Sequence, residues 1–242
     1  MREKLNYLDG LRGLAAFIVV IHHYTNGFYP AYGGNEIAKS PISILYDGNF
    51  SVCVFFVLSG FVLSGKYFKT KNPEVLIASA TKRYFRLLFP VMFSIFLAYV
   101  FLRMNLFSYK DEVAGITGSG WLASFYNFDA NFVEMLKQGL YKVFLFGEAS
   151  YNTNLWTIYL EFFGSFLTFA FLALFGKLKK RYFVYIILFY VFYQDYYLAF
   201  LLGVILSDIY HSEEAKKLLI KNKVLLFLIF IVSIYFGSYP YD

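Results

Sequence analysis

The sequence has little charge and almost no cysteine. Charged residues make up 16% of the 242 residues, and Cys53 is the single cysteine, which excludes an intramolecular disulfide. So small a charged fraction, beside 59% hydrophobic and 23% aromatic residues, excludes a soluble domain of this length. The mean hydropathy is +0.55. The composition therefore predicts an all-α polytopic membrane protein.

Motifs of several enzyme classes are missing as well. The sequence has no glycine-rich phosphate loop, no Gly-x-Ser-x-Gly elbow and no Cys/His set with the spacing of metal ligands. His22 and His23 are adjacent, so they point about 100° apart on a helix and suit one metal ion poorly. The net charge of +6 is not accompanied by a nucleic-acid-binding element. We expect no metal and no nucleic-acid partner.

The apolar runs predict about seven transmembrane helices in one membrane domain over residues 1–242. Two of these runs are short, so a hairpin that dips into the bundle is an alternative for them. Six residues at helical spacing predict an amphipathic or re-entrant helix at the outer surface: Phe132, Val133, Leu136, Leu140, Val143 and Phe144. The predicted crossings are residues 8–29, 50–65, 87–102, 155–176, 182–193, 196–210 and 224–239.

Short basic clusters set the predicted orientation. They lie in predicted loops at residues 66–86, 177–181 and 216–223, so that Arg83 and Arg86 precede the third span. The positive-inside rule places these loops and the amino terminus in the cytoplasm. The first apolar run is interrupted by Arg12 and lacks a small-residue cleavage site, so we expect it to insert without being cleaved. A bacterial inner (plasma) membrane is the expected location.

The first apolar run carries an unusual polar face. Arg12 and His23 are eleven residues apart, which places them within about 20° on one helical face and about 16 Å apart along the axis. Ionisable groups inside a span usually face a cavity or a partner, which suggests a functional site. Alternatively, Arg12 anchors the helix at the cytoplasmic surface and the histidines lie near the headgroups. The residues alone leave both interpretations open.

Four stretches, taken together, resemble the membrane-bound acyltransferase family three, often called polysaccharide O-acetyltransferases. The first is Leu8-Asp9-Gly10-Leu11-Arg12-Gly13 with ten residues between Arg12 and His23. The others are Phe55-Phe56-Val57-Leu58-Ser59-Gly60-Phe61, Arg83-Tyr84-Phe85-Arg86 ahead of Pro90, and Leu155-Trp156-Thr157-Ile158-Tyr159-Leu160-Glu161. Members usually have about ten spans, so the resemblance implies a short or truncated version of a ten-helix bundle.

The resemblance also implies an activity. Family members transfer an acyl group, usually acetyl from acetyl-CoA at the cytoplasmic side, to a hydroxyl of a glycan. His23 would then be the catalytic histidine with Arg12 needed beside it, and Arg83 and Arg86 would form the acyl-CoA site. Histidine titrates near neutral pH and could act as base or as acyl relay, between which the sequence does not choose. The two arginines could grip CoA phosphates or only anchor the helix.

Two carboxylates complete the predicted site. Glu161 lies about six residues into its span, where a carboxylate needs a partner such as Arg12 or an imidazole. It either locks the bundle, which we expect, or orients the site. Asp9 either pairs with Arg12 or caps the first helix. We expect it to cap the helix.

Other protein classes also fit seven crossings. A receptor or a small transporter would match the topology, but neither explains the Arg12 to His23 spacing together with the arginine pair. A non-catalytic bundle would keep the motifs and lose turnover. Acyl transfer that depends on CoA separates the enzyme from all three.

Overall fold

The computed structural model describes residues 6–30, 41–213 and 222–237, and every regular element in those ranges is helical. A π-helix, Gln138–Lys142, joins the sixth α-helix to the seventh. The α-helices are α1 (Asn6–Phe28), α2 (Gly48–Thr70), α3 (Glu74–Arg103), α4 (Lys110–Thr117), α5 (Gly120–Ala123), α6 (Phe132–Lys137), α7 (Val143–Phe146), α8 (Trp156–Phe175), α9 (Tyr182–Val191), α10 (Tyr197–Tyr210) and α11 (Lys223–Gly237).

Three helical segments in these ranges are long and apolar enough to cross a membrane, namely Gly48–Thr70, Glu74–Arg103 and Thr153–Phe175. The prediction of an all-α membrane protein is confirmed. α1 is also 23 residues long, but its arginine and two histidines lower its hydropathy. α9 and α10 are apolar and short, as predicted. Seven crossings stay a prediction, and Lys216, Lys217, Lys221 and residues 238–239 of the last predicted run lie outside the described residues.

Two helices extend well beyond their predicted apolar cores. α2 continues to Thr70 rather than ending at residue 65, and α3 begins at Glu74 rather than at residue 87. Hydropathy marks only the lipid-compatible part of a helix, whereas alanine, lysine and arginine continue the helix outside it. The prediction that Arg83 and Arg86 lie in a loop ahead of the span is therefore wrong, because both lie within α3.

α2 lies at the centre of the bundle and packs on α1, α8 and α10. Its backbone touches that of α10 where two glycines face each other. A Cβ on Gly60 would lie 2.1 Å from the Phe200 carbonyl oxygen, and one on Gly203 would lie 2.1 Å from the Val57 carbonyl oxygen. No larger residue fits at either position, so these glycines fix the close approach of the two helices.

The predicted amphipathic helix forms, but with a different buried face. Met135, Val143 and Phe144 are buried, whereas Phe132 and Leu140 are exposed. The π-helix between α6 and α7 adds a residue to one turn and so rotates α7 relative to α6. The prediction of a single apolar face, which assumed a regular helical period across residues 132–144, is therefore wrong.

Two of the basic clusters meet at one end of the bundle. The guanidinium of Arg181 lies 5.5 Å from the ring centre of Phe68, and the Lys71 ammonium lies 4.9 Å from the same ring. Arg181 also donates from Nε to a carboxylate oxygen of Asp208 at 2.5 Å. Burial, with Arg181 nearby, lowers the pKa of Lys71. The ends of α2 and α8 that carry these clusters thus lie on one side of the molecule.

Candidate active site

The two adjacent histidines of α1 have different surroundings. His22 uses both ring nitrogens, because Nδ1 lies 3.0 Å from the carbonyl oxygen of Tyr46 and Nε2 lies 3.0 Å from Nδ2 of Asn26. A carbonyl oxygen only accepts, so Nδ1 carries the proton and Nε2 accepts from the amide. A Cβ on Gly48 would lie 2.6 Å from the His22 ring, so this imidazole packs directly on the start of α2. His22 is fixed as a structural residue.

His23 has one ring nitrogen without a hydrogen-bond partner among the described residues. Its Nδ1 lies 2.7 Å from the carbonyl oxygen of Val19, so Nδ1 donates and the Nε2 lone pair is unprotonated in this tautomer. No hydrogen bond joins Nε2 to any residue within 6–30, 41–213 or 222–237. A half-buried imidazole held in this way can accept a proton or attack a carbonyl carbon.

Arg12 lies on the side of α1 that carries His23 and at the opposite end of the helix. Their positions differ by about 20° around the axis and about 16 Å along it, so the structure does not bring the two side chains together. Arg12 instead donates to the Asp9 carboxylate at 2.9 Å. Asp9 lies within α1, in the first described turn, so the prediction that Asp9 caps the helix is wrong and its pairing with Arg12 is found.

Glu161 pairs with neither Arg12 nor an imidazole, and the prediction of those partners is wrong. Its Oε1 accepts from Nη2 of Arg83 and from Oγ of Ser59, the latter at 2.8 Å. The cluster joins α2, α3 and α8 in the interior, with the Arg83 and Glu161 side chains 11% and 16% exposed. Sequence reasoning missed Arg83 as the partner because it placed that residue in a loop. The signal that could have identified the pair is the presence of one cation and one anion, Arg83 and Glu161, within otherwise apolar helices.

The two arginines of α3 occupy different environments. Arg83 is buried against Glu161, and its Nε–H has no partner among the described residues. Arg86 is exposed. Three residues rotate a helix by about 300°, so the two side chains diverge by about 60°. The prediction was that both arginines bind CoA phosphates. In the structure Arg83 is already paired with Glu161, so the two arginines are not equivalent.

A cavity of about 650 Å³ lies between α1, α2 and α10. Its walls are almost wholly apolar and include Leu11, Cys53, Phe61 and Leu206. Leu11 and His23 are about 120° apart around α1, so this cavity and the free imidazole lie on different sides of the helix. The cavity is therefore not a binding site for a group that reacts at His23.

In the part of the chain that the structure describes, no three His, Cys, Asp or Glu residues are grouped so that they could hold a metal ion.

The comparison with known families gives the decisive match. The model of an acyltransferase domain, acyltransferase family 3, matches residues 5–242. The chain belongs to this family. It is also 27% identical over 215 residues to the O-acetyltransferase PaAT-1 of Phomopsis amygdali, a match that covers 75% of this chain and 42% of that relative. The chain thus spans less than half of that relative's length, and no solved structure matches it.

Proposed function

We propose that this acyltransferase-family member transfers an acyl group, most simply acetyl, from acyl-CoA to a hydroxyl of a cell-surface polysaccharide or other glycan. The family assignment supports acyl transfer, and the name of the relative supports O-acetylation. The observation that carries the proposal is the free Nε2 of His23, held in a defined tautomer by the carbonyl of Val19. Among the two adjacent histidines, His23 alone offers an unshared lone pair.

The proposed reaction needs one proton acceptor. Nε2 of His23 takes the proton of the acceptor hydroxyl while the oxygen attacks the thioester carbonyl. The carbon–sulfur bond then breaks, and the leaving CoA thiolate recovers the proton from the imidazolium. In the covalent alternative, Nε2 attacks the thioester carbonyl and the carbon–sulfur bond breaks to release the CoA thiolate. The acceptor oxygen then attacks the acyl-imidazole, the carbon–nitrogen bond breaks, and the hydroxyl proton passes to the thiolate. Both routes use the same nitrogen.

Arg86 is the proposed contact for the donor. It is exposed on α3, where its guanidinium can form charge-assisted hydrogen bonds with CoA phosphates. Arg83 lies one turn away and is committed to Glu161, so we assign it to positioning α3 against α8. Arg12, paired at the helix surface with Asp9, can leave that carboxylate for an anionic group at low cost.

The proposed location is a bacterial inner membrane, with the amino terminus and the acyl-CoA in the cytoplasm. The meeting of Lys71 and Arg181 at one end of the bundle supports a common cytoplasmic side for their clusters. The walls of the apolar cavity include Tyr7 of α1 and Tyr210 of α10, so the start of α1 lies at the same end as the end of α10. The surrounding lipid is then the remaining partner.

The test is turnover of labelled acetyl-CoA by detergent-purified protein. We expect His23→Ala to lose thioester cleavage and transfer while it still binds acetyl-CoA. His211→Ala is the matched control, because His211 makes the same contact from Nδ1 to the carbonyl four residues earlier, also at 2.7 Å, at the other end of the bundle. Full turnover in folded His23→Ala would overturn the proposal. Binding without turnover in the wild type would favour a non-catalytic family member.

A further inference from the structure

Trp121 is held against the end of α1 by the short helix α5. Ser119, which is buried, caps α5 by accepting from the backbone N–H of Leu122 at 3.3 Å. Its hydroxyl also donates to the carbonyl oxygen of Asn26 at 3.5 Å, which ties α5 to the last turn of α1. This connection spans more than ninety residues of sequence, so it sets where the indole lies.

Gly27 allows the indole to lie close to the helix. A Cβ at that position would lie 3.3 Å from Cζ3 of Trp121, closer than ordinary van der Waals contact. On another side the ring of Phe125 packs edge to face on the indole, with ring centres 4.5 Å apart. The indole is therefore braced by α1 and by Phe125, yet it remains 37% exposed.

The indole also lies beside the candidate base. The ring centres of His23 and Trp121 are 5.5 Å apart, with the planes tilted by 42°. The imidazole that carries the candidate base and an accessible indole ring are thus neighbours. Aromatic rings beside a few directed polar groups are the usual lining of small-ligand sites. The apolar C–H face of a sugar ring can lie on an indole while its hydroxyls point elsewhere.

We propose that Trp121 is the acceptor platform of this enzyme and determines its preference for a sugar acceptor. A pyranose ring stacks on the indole, and this contact delivers one of its hydroxyls to Nε2 of His23. The inference rests on the proposed acyl transfer and adds the chemical class of the acceptor subsite. Trp121 acts by holding the acceptor and not by moving protons.

An anchoring role at the membrane surface is the other explanation for this tryptophan. The protein provides its own control, because Trp156 is the second of only two tryptophans. Trp156 is similarly exposed, at 40%, and its ring packs on the ring of Tyr196, with centres 5.6 Å apart. A pure anchor would make the two tryptophans equivalent in an assay of acceptor use.

The experiment compares Trp121→Leu, Trp121→Phe and Trp156→Leu in detergent-purified full chain. The probes are labelled acetyl-CoA with methyl glycosides of glucose, galactose and N-acetylglucosamine. Hydrolysis of acetyl-CoA without any glycoside reports the donor side and His23 alone. We expect Trp121→Leu to raise the KM for the accepted glycoside about tenfold, a typical worth of one aromatic contact. Its kcat and its acceptor-free hydrolysis should stay within about twofold, far from the tenfold change.

Two further results are expected if the platform exists. Trp121→Phe, which keeps an aromatic face, should recover most of the glycoside affinity, and Trp156→Leu should keep the wild-type KM. In Trp156→Phe protein, where Trp121 is the sole indole, the accepted glycoside should change the fluorescence in a saturable way.

Several results would overturn the platform. An unchanged KM in Trp121→Leu would do so, as would equal effects of Trp121→Leu and Trp156→Leu. A wild type that hydrolyses acetyl-CoA but accepts none of the glycosides would remove the sugar subsite and leave acyl transfer standing. A wild type that neither hydrolyses acetyl-CoA nor transfers acetyl would instead remove the proposed function.

Discussion

Two arginine–carboxylate pairs in this protein show how burial changes the meaning of the same contact. Arg83 and Glu161 join α3 to α8 with side chains 11% and 16% exposed, and Ser59 of α2 completes the cluster. Arg12 and Asp9 are three residues apart on α1, with side chains 37% and 48% exposed. The first pair ties three helices together, whereas the second joins two residues within one turn of the same helix.

The difference in burial distinguishes an ion pair that stabilises the fold from one whose arginine is available to a ligand. Removing one partner from a buried pair leaves an uncompensated ion in a poorly polar interior, and this is costly. An exposed pair exchanges its partner for water or for an anionic ligand at little cost. We therefore assign stability to Arg83 and Glu161, and availability for a substrate to Arg12 and Arg86.

The largest expected effect is the loss of the buried pair. Glu161→Ala should lower the free energy of unfolding by about 3–5 kcal/mol, because it strands the Arg83 guanidinium. Thermal unfolding in detergent, followed by helical signal, measures the loss. A Glu161→Ala protein as stable as the wild type would show that the Arg83–Glu161 pair does not stabilise the bundle.

Arg86 should affect the donor and not the fold. Arg86→Ala should weaken acetyl-CoA binding by about 1.5–3 kcal/mol, the usual worth of a hydrogen bond to a charged group, with an unchanged unfolding temperature. Equilibrium binding of labelled acetyl-CoA checks this. Lys82→Ala removes a neighbouring exposed cation of α3 and is the control. Equal losses in both variants would reduce the role of Arg86 to general positive charge.

The exposed pair of α1 should contribute little to stability. Asp9→Asn should change the free energy of unfolding by at most about 1 kcal/mol, since both side chains reach solvent. The same unfolding assay applies. A loss as large as that of Glu161→Ala would erase the distinction between the two pairs.

The smallest effect should come from Glu134 on α6, outside the apolar spans. Hydrogen bonds from Lys137, and then from Lys142, lower the pKa of this carboxyl below its ordinary value of 4.5. A lowered folded-state pKa means that the ionised form adds stability above the ordinary pKa and loses it as the pH falls through the folded value. Glu134→Gln should therefore unfold slightly earlier than the wild type near pH 7, and this gap should close in strong acid. A gap that widens in acid would contradict the assignment.

The sequence sufficed for the class of fold and for the polar face of α1. Composition and apolar runs predicted a helical membrane protein, because the hydropathy of a segment depends only on the residues within it. The spacing of Arg12 and His23 predicted a shared side of α1. Their separate environments were not predictable, because Tyr46 beside His22 lies in a turn and Trp121 beside His23 lies on the short helix α5, both distant from α1 in the sequence.

The partner of Glu161 shows the main limit. Hydropathy placed the start of the third span at residue 87, so Arg83 was predicted in a loop and was not considered as a buried cation. Arg83 lies four residues before that predicted limit, but the structure places it within α3, where it pairs with Glu161 of α8. A sequence shows that a buried carboxylate needs a cation, but helix packing decides which one it meets.

The most direct test of this account replaces both members of the buried pair by methionine. Arg83→Met with Glu161→Met removes the two charges together, so no ion is stranded, and the folded bundle should persist. We predict that this protein keeps acetyl-CoA affinity within about threefold, whereas Arg86→Ala loses at least about tenfold. A folded double variant that no longer binds acetyl-CoA would contradict the account, because Arg83 would then be a contact of the donor rather than a lock of the bundle.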